Sequence, residues 1–188
     1  MPLRPLEPPE IVRRTAAAQV SHLASHGAFP ALRDAAAEDL ALVAPHRTFT
    51  LPLEAVTVKG LAEAQPAGWR FLVAVKDRIV ASAELGDDTG SSPIINAGPY
   101  VGSTTAAIDQ LAALPALARE DFELRLLTVP ALYVVATWLA GRSHILTPLS
   151  PAPSFLEAGR QYSEQELMAS LRGPAERILS SEDSTSGG

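Results

Sequence analysis

The chain has 188 residues, 47% of them hydrophobic and 19% charged, enough at ~150 residues per domain for one domain with its own core. Its 15 basic and 21 acidic side chains leave a net charge of −6, the wrong sign for a protein held on phosphate backbones by bulk charge, so no nucleic acid is expected as a partner. The absence of cysteine excludes disulfides, thiolate nucleophiles and cysteine-ligated metal centres.

Residues 1–8 place proline at 2, 5 and 8, a three-residue spacing that suits an extended, solvated polyproline arm. A helix is expected from Pro9, with Val12, Ala16, Val20 and Leu23 on one face and Gly27 at its end. A second helix is predicted from Pro30, with Leu32, Ala36, Leu40 and Val43 on a stripe and Pro45 as its stop. From Thr48 to Val58 the period becomes two, because Phe49, Leu51 and Leu53 alternate with Thr50, Pro52 and Glu54. That reads as a strand, placed at an edge or bulge by Pro52, which has no amide hydrogen for a ladder.

Trp69 to Leu85 reads as a hairpin turning at Lys76, Asp77 and Arg78. Pairing Val75 with Ile79 sets Trp69 opposite Leu85, Phe71 opposite Ala83 and Val73 opposite Ala81, an all-apolar face, and puts Arg70 opposite Glu84 on the other. Helices are expected to cover the apolar face. Residues 86–102, rich in Gly, Ser, Asp and Pro, read as a long loop and the first place to look for a site. Ser103 is expected to cap a helix with Ile108, Leu111 and Ala112 inward, interrupted at Pro115. Phe122, Leu124 and Leu126 alternate with Glu123 and Arg125 as a half-buried strand. Residues 131–140 fit a buried helix or a central strand, and the β-branched and aromatic residues favour the strand. His144 to Leu149 completes the sheet. Ser163 and Glu166 form a capping box for a helix ending near Gly173, and 180–188, without a large apolar side chain, read as a disordered tail. Residues 9–179 are then a single domain.

The amino terminus lacks the apolar stretch of a secretory signal, from which a cytoplasmic address is expected. The uncharged run Leu126–Gly141 is shorter than the ~20 apolar residues of a membrane span and contains Pro130.

Candidate chemistries are incomplete. His22 and His26 stand four apart on the first helix, a spacing that allows a shared metal, but Leu23 occupies the place of the glutamate base in a helical zinc-protease motif and no third ligand is identifiable. His46 and His144 read as ordinary polar residues. Asp88-Thr89-Gly90 resembles the tripeptide that carries the catalytic carboxylate of aspartic peptidases, and Leu139–Arg142 resembles the later apolar-Gly-Arg element of the retroviral type. The resemblance implies a homodimer sharing one proton between two carboxylates. Gly86 and Asp87 stand where that family has an apolar strand, and a predicted helix intervenes before the second element. Gly98 to Thr104 leads into a helix and offers amides to an anion, but its glycine spacing is one residue short of a P-loop and no lysine follows Gly102. Ser103 lacks the flanking glycines of a nucleophile elbow.

The expected architecture is α+β: an antiparallel sheet of about four or five strands, covered on one face by amino-terminal and inserted helices. No catalytic, cofactor or metal residues are assigned. The function expected is a non-catalytic protein-binding or assembly module, acting through apolar surface or through strand addition at an edge such as Thr48–Val58, with self-association on the same surfaces. Two alternatives are a small hydrolase built on Asp87, Asp88 and Tyr100, and a carrier whose closed pocket is lined by Trp69, Phe71 and Trp138.

Overall fold

A computed structural model describes residues 3–4, 6–87, 92–114 and 121–185. The fold is α+β, with nine strands among the described residues rather than four or five, in the order β5-β4-β3-β2-β6-β7-β8-β9 with β1 beside β6. The sheet is mostly antiparallel, but β2 (Leu40–Thr50) and β6 (Phe122–Val129) run parallel, Arg47 pairing with Arg125 and Phe49 with Leu127. Below that junction β1 (Leu3–Arg4) pairs in parallel with Phe122 and Glu123. Part of the expected solvated arm is therefore a strand, and Pro8 is buried.

Helix α1 (Glu10–Ser25) starts after Pro9 and buries Val12, Ala16, Val20 and Ala24. Gly27, at φ +58, takes the left-handed turn after it, with its N–H on the Ala24 carbonyl at 3.1 Å. The second expected helix does not form. Two 3-10 turns, Pro30–Leu32 and Ala37–Asp39, lead directly into β2. The helical spacing of Leu32, Ala36 and Leu40 is overridden by pairing: Leu40 opposes Val75 and Leu42 opposes Val73. Pro45 does not end the strand because it lies in an irregularity between Val43 and His46, where Ala44 is left-handed and no ladder bond is required. β2 ends at Thr50, so Pro52 is not in a strand. It stands at the amino end of α2 (Leu53–Val58), which buries Leu53, Ala55 and Val56.

Strands β3 (Gln65–Val75) and β4 (Arg78–Gly86) form the expected hairpin. The register holds from Trp69↔Leu85 to Val73↔Ala81, then shifts so that Ala74 meets Ile79 and Val75 meets Arg78. Val80 is the bulged residue, and the turn is one residue shorter than expected because Lys76 is left-handed at φ 55. Farther along, Gly68 (φ +146) opposes Gly86, and a Cβ there would lie 1.9 Å from the Leu85 carbonyl oxygen.

The long loop is shorter than expected. Ile94–Asn96 forms β5 on β4, and α3 (Pro99–Ala112) begins four residues before Ser103, with Gly98 at its cap. Ser103 donates to the Pro99 carbonyl instead of capping. The buried side of α3 is Val101, Thr104, Ala107 and Leu111, while Ala112 is exposed. Pro115 lies outside the described residues. Residues 131–140 resolve as a 3-10 turn, Pro130–Leu132, followed by the strand β7 (Val134–Ala140), interior between β6 and β8 (His144–Pro148). A further two-residue strand, β9 (Tyr162–Ser163), lies beyond β8. The capping box is present: Ser163 N–H donates to Glu166 Oε2 at 2.8 Å and Glu166 N–H to Ser163 Oγ at 3.3 Å. The Ser163 N–H bond, together with the Ser163 hydroxyl donating to the same Oε2 at 2.8 Å, holds the Glu166 carboxyl below its ordinary range. Helix α4 (Glu164–Thr185) does not stop at Gly173 but runs through Pro174 into the expected tail. Leu167, Leu171 and Ala175, all fully buried, carry it past the proline.

Helices lie on both faces of the sheet, not one. Alternation from the observed registers puts Trp69, Phe71, Val73, Arg47, Phe49, Arg125, Leu127, Trp138 and Leu146 on a first face. There α1 packs on Trp69, Phe71, Ala81 and Ala83, and α2 with α4 packs on Leu127, Trp138 and Leu146. The second face, with Arg70, Ser82, Leu126 and Leu139, receives α3 through Thr104, Ala107 and Leu111.

Candidate functional site

Between the two helical covers of the first face the sheet is incompletely roofed. Every residue of β2 except His46 is at least partly solvated, although β2 is interior. On this floor Arg47 and Arg125 are direct register partners. Each guanidinium rests on rings: Arg47 lies 5.3 Å from the Trp69 ring centre, and Arg125 lies 4.7 Å from both Phe49 and Trp138. Each also holds a carboxylate. Arg47 grips Asp87 with both Nη groups at 2.9 and 3.1 Å, and Arg125 Nε donates to Glu123 at 2.6 Å. The row continues through Trp138, whose indole N–H donates to His144 Nδ1 at 3.1 Å, to Glu164, 3.9 Å from His144 Nε2.

On the second face a third arginine is treated differently. Arg70 is buried, donates to Thr104 Oγ1 at 3.0 Å and Ser82 Oγ at 3.3 Å, and sets Nε 3.1 Å from Glu84 without the alignment of a hydrogen bond. Desolvation pulls its pKa below the usual arginine value, and Glu84 partly offsets this. Its register partner His46 is fully buried and donates Nδ1–H to the Ala44 carbonyl at 2.7 Å, which leaves Nε2 as an acceptor without a partner among the described residues. Burial first, and then the Arg70 charge, push its pKa down to about 4 against the Ala44 hydrogen bond. This is a buried polar layer that docks α3.

A separate feature stands where β6 turns into β7. Tyr133 is held left-handed at φ 54, a conformation that costs a non-glycine residue free energy, yet the residue is 82% exposed. It forms part of the wall of an apolar cleft of about 620 Å³, lined also by Leu132, Pro151, Phe155, Pro174 and Ile178 and by the polar Tyr100 and Arg177.

The residues singled out from sequence do not converge. Asp87 is engaged by Arg47, Tyr100 donates its hydroxyl to the Pro151 carbonyl at 3.1 Å, and Asp88 lies outside the described residues. The rings of His22 and His26 lie tilted by 40° with centres 4.2 Å apart, and no third metal-ligating side chain joins them among the described residues. Phe71 and Trp69 are buried under α1, whereas Trp138 belongs to the α2–α4 core, so the three do not share one pocket. Thr48–Thr50 are hydrogen-bonded to strands on both sides, which removes the edge expected there for strand addition. No helix among the described residues is long and apolar enough to cross a membrane. Sequence reading missed the arginine pair and the Tyr133 cleft. The first depends on a parallel register between distant strands. Comparison with protein-family models, with curated proteins and with solved structures gives no match.

Proposed function

We propose that this chain is a non-catalytic assembly module whose contact surface is the cleft beside Tyr133, with a second copy of the chain as its partner. The observation that carries the reading is the exposed, strained Tyr133 at the rim of an apolar cleft. A projecting aromatic next to a hole on the same surface is self-complementary, because a twofold axis lets each copy insert its tyrosine into the other. Tyrosine is well suited to such an anchor, with a large apolar ring and few rotamers to freeze.

Sedimentation across a wide range of concentration tests this. The wild-type chain is expected to form a dimer that Tyr133→Gly abolishes. The glycine also relieves the positive φ, so the variant's stability is expected to be unchanged or higher by about 0.5–1 kcal/mol. A wild-type chain that stays monomeric, or a glycine variant that dimerises as well as the parent, refutes the proposal.

A further inference from the structure

We infer that the Arg47–Arg125 pair is an exchangeable carboxylate site, in which Asp87, held by Arg47 while Glu123 holds Arg125, is the resting occupant and an acidic side chain of a partner polypeptide is the ligand. The site is separate from the Tyr133 cleft and does not depend on it.

Like charges set directly opposite on neighbouring strands repel, so a bare arginine pair at this register disfavours the sheet. In the structure that cost is met one arginine at a time, by Asp87 on Arg47 and Glu123 on Arg125, and an incoming carboxylate that displaces Asp87 is also offered the Nη donors that Arg125 leaves unused among the described residues. The guanidiniums are already positioned, Arg47 against Trp69 and Arg125 over the packed rings of Phe49 and Trp138, so little side-chain freedom is left to lose on binding. Both side chains remain 25% exposed. Arg125 has five N–H donors, and among the described residues only Nε is used. Arg47 shows which chemistry it accepts: its two-pronged grip on Asp87 is the planar fork of a guanidinium on a carboxylate. Asp87 lies one residue past Gly86, the last residue of β4, and is 45% exposed, so no ladder holds it against exchange.

The chain's two tryptophans, Trp69 and Trp138, each carry one of these arginines, so their emission reads the site directly. A triglutamate peptide titrated into the wild-type protein is expected to change tryptophan emission saturably, more tightly than inorganic phosphate, and trilysine is expected to have no effect. Asp87→Asn removes the competing charge and is expected to tighten triglutamate roughly tenfold, whereas Arg125→Gln weakens it roughly tenfold. A merely structural Asp87 predicts the opposite, because its loss would then loosen the site. Absence of a saturable wild-type response, phosphate binding as tightly as triglutamate, or weaker binding by Asp87→Asn overturns the inference. The wild-type titration decides the matter even if a variant fails to fold.

Discussion

The two faces of the sheet use arginine in opposite ways. Arg70, under α3, is 3% exposed and is met by two hydroxyls and one flanking carboxylate. Arg47 and Arg125, on the other face, lie on aromatic rings with a quarter of their surface in water. A cation out of water must be compensated by fixed donors and acceptors, and those same groups bind it to one structural task. A cation left half-wet over a ring keeps donors to spend on something else. The difference between the faces therefore separates architecture from recognition.

The comparison breaks most visibly at Arg70. Arg70→Ala leaves a cavity and strips buried Ser82 of its donor, so chemical denaturation is expected to show a loss of about 3–4 kcal/mol. Arg70→Met, which refills the volume without a charge, is expected to recover most of that loss. Next is the pH dependence of the same layer. His46 titrates near 4 when folded and near 6.5 when unfolded, so above pH 6.5 neither state is charged and the histidine is neutral to stability. As pH falls from 6.5 to 4 only the unfolded chain takes the proton, and stability drops by about 3 kcal/mol over that window and then levels off. Denaturation midpoints for wild type and His46→Gln across that range check this, because the variant is expected to lose that component of the slope. The smallest effect belongs to the wet face. Arg125→Ala removes two ring contacts and a partly solvated ion pair, for about 1 kcal/mol, and less at high salt. If Arg125→Ala proves as costly as Arg70→Ala, the distinction between the faces fails.

Legibility from sequence followed the range of the interactions. The β3–β4 register from Trp69 to Val73 was readable because hydrophobic and charge patterns agree over neighbouring segments, and the Ser163–Glu166 box because it is closed within one turn. The bulge at Val80 was not, since it depends on the left-handed Lys76, which no glycine or asparagine announces. Residues 40–44 read as helix because their apolar spacing satisfies both periods, and only pairing with β3 decides between them. The helix through Pro174 was hidden for the same reason: its support comes from Leu51, Leu127 and other residues far away in the chain. The arginine pair spans 47 to 125 across a parallel junction, beyond any local pattern.

The bulge at Val80 has a further consequence. Strand β5 pairs only Ser82 to Glu84, which leaves the first part of β4 outside that pairing. Val80 and Arg78 fall on this stretch, so the border of the sheet is kinked and positively charged where it would otherwise offer a straight row of amides. A neighbouring molecule meets a poor template for strand addition there.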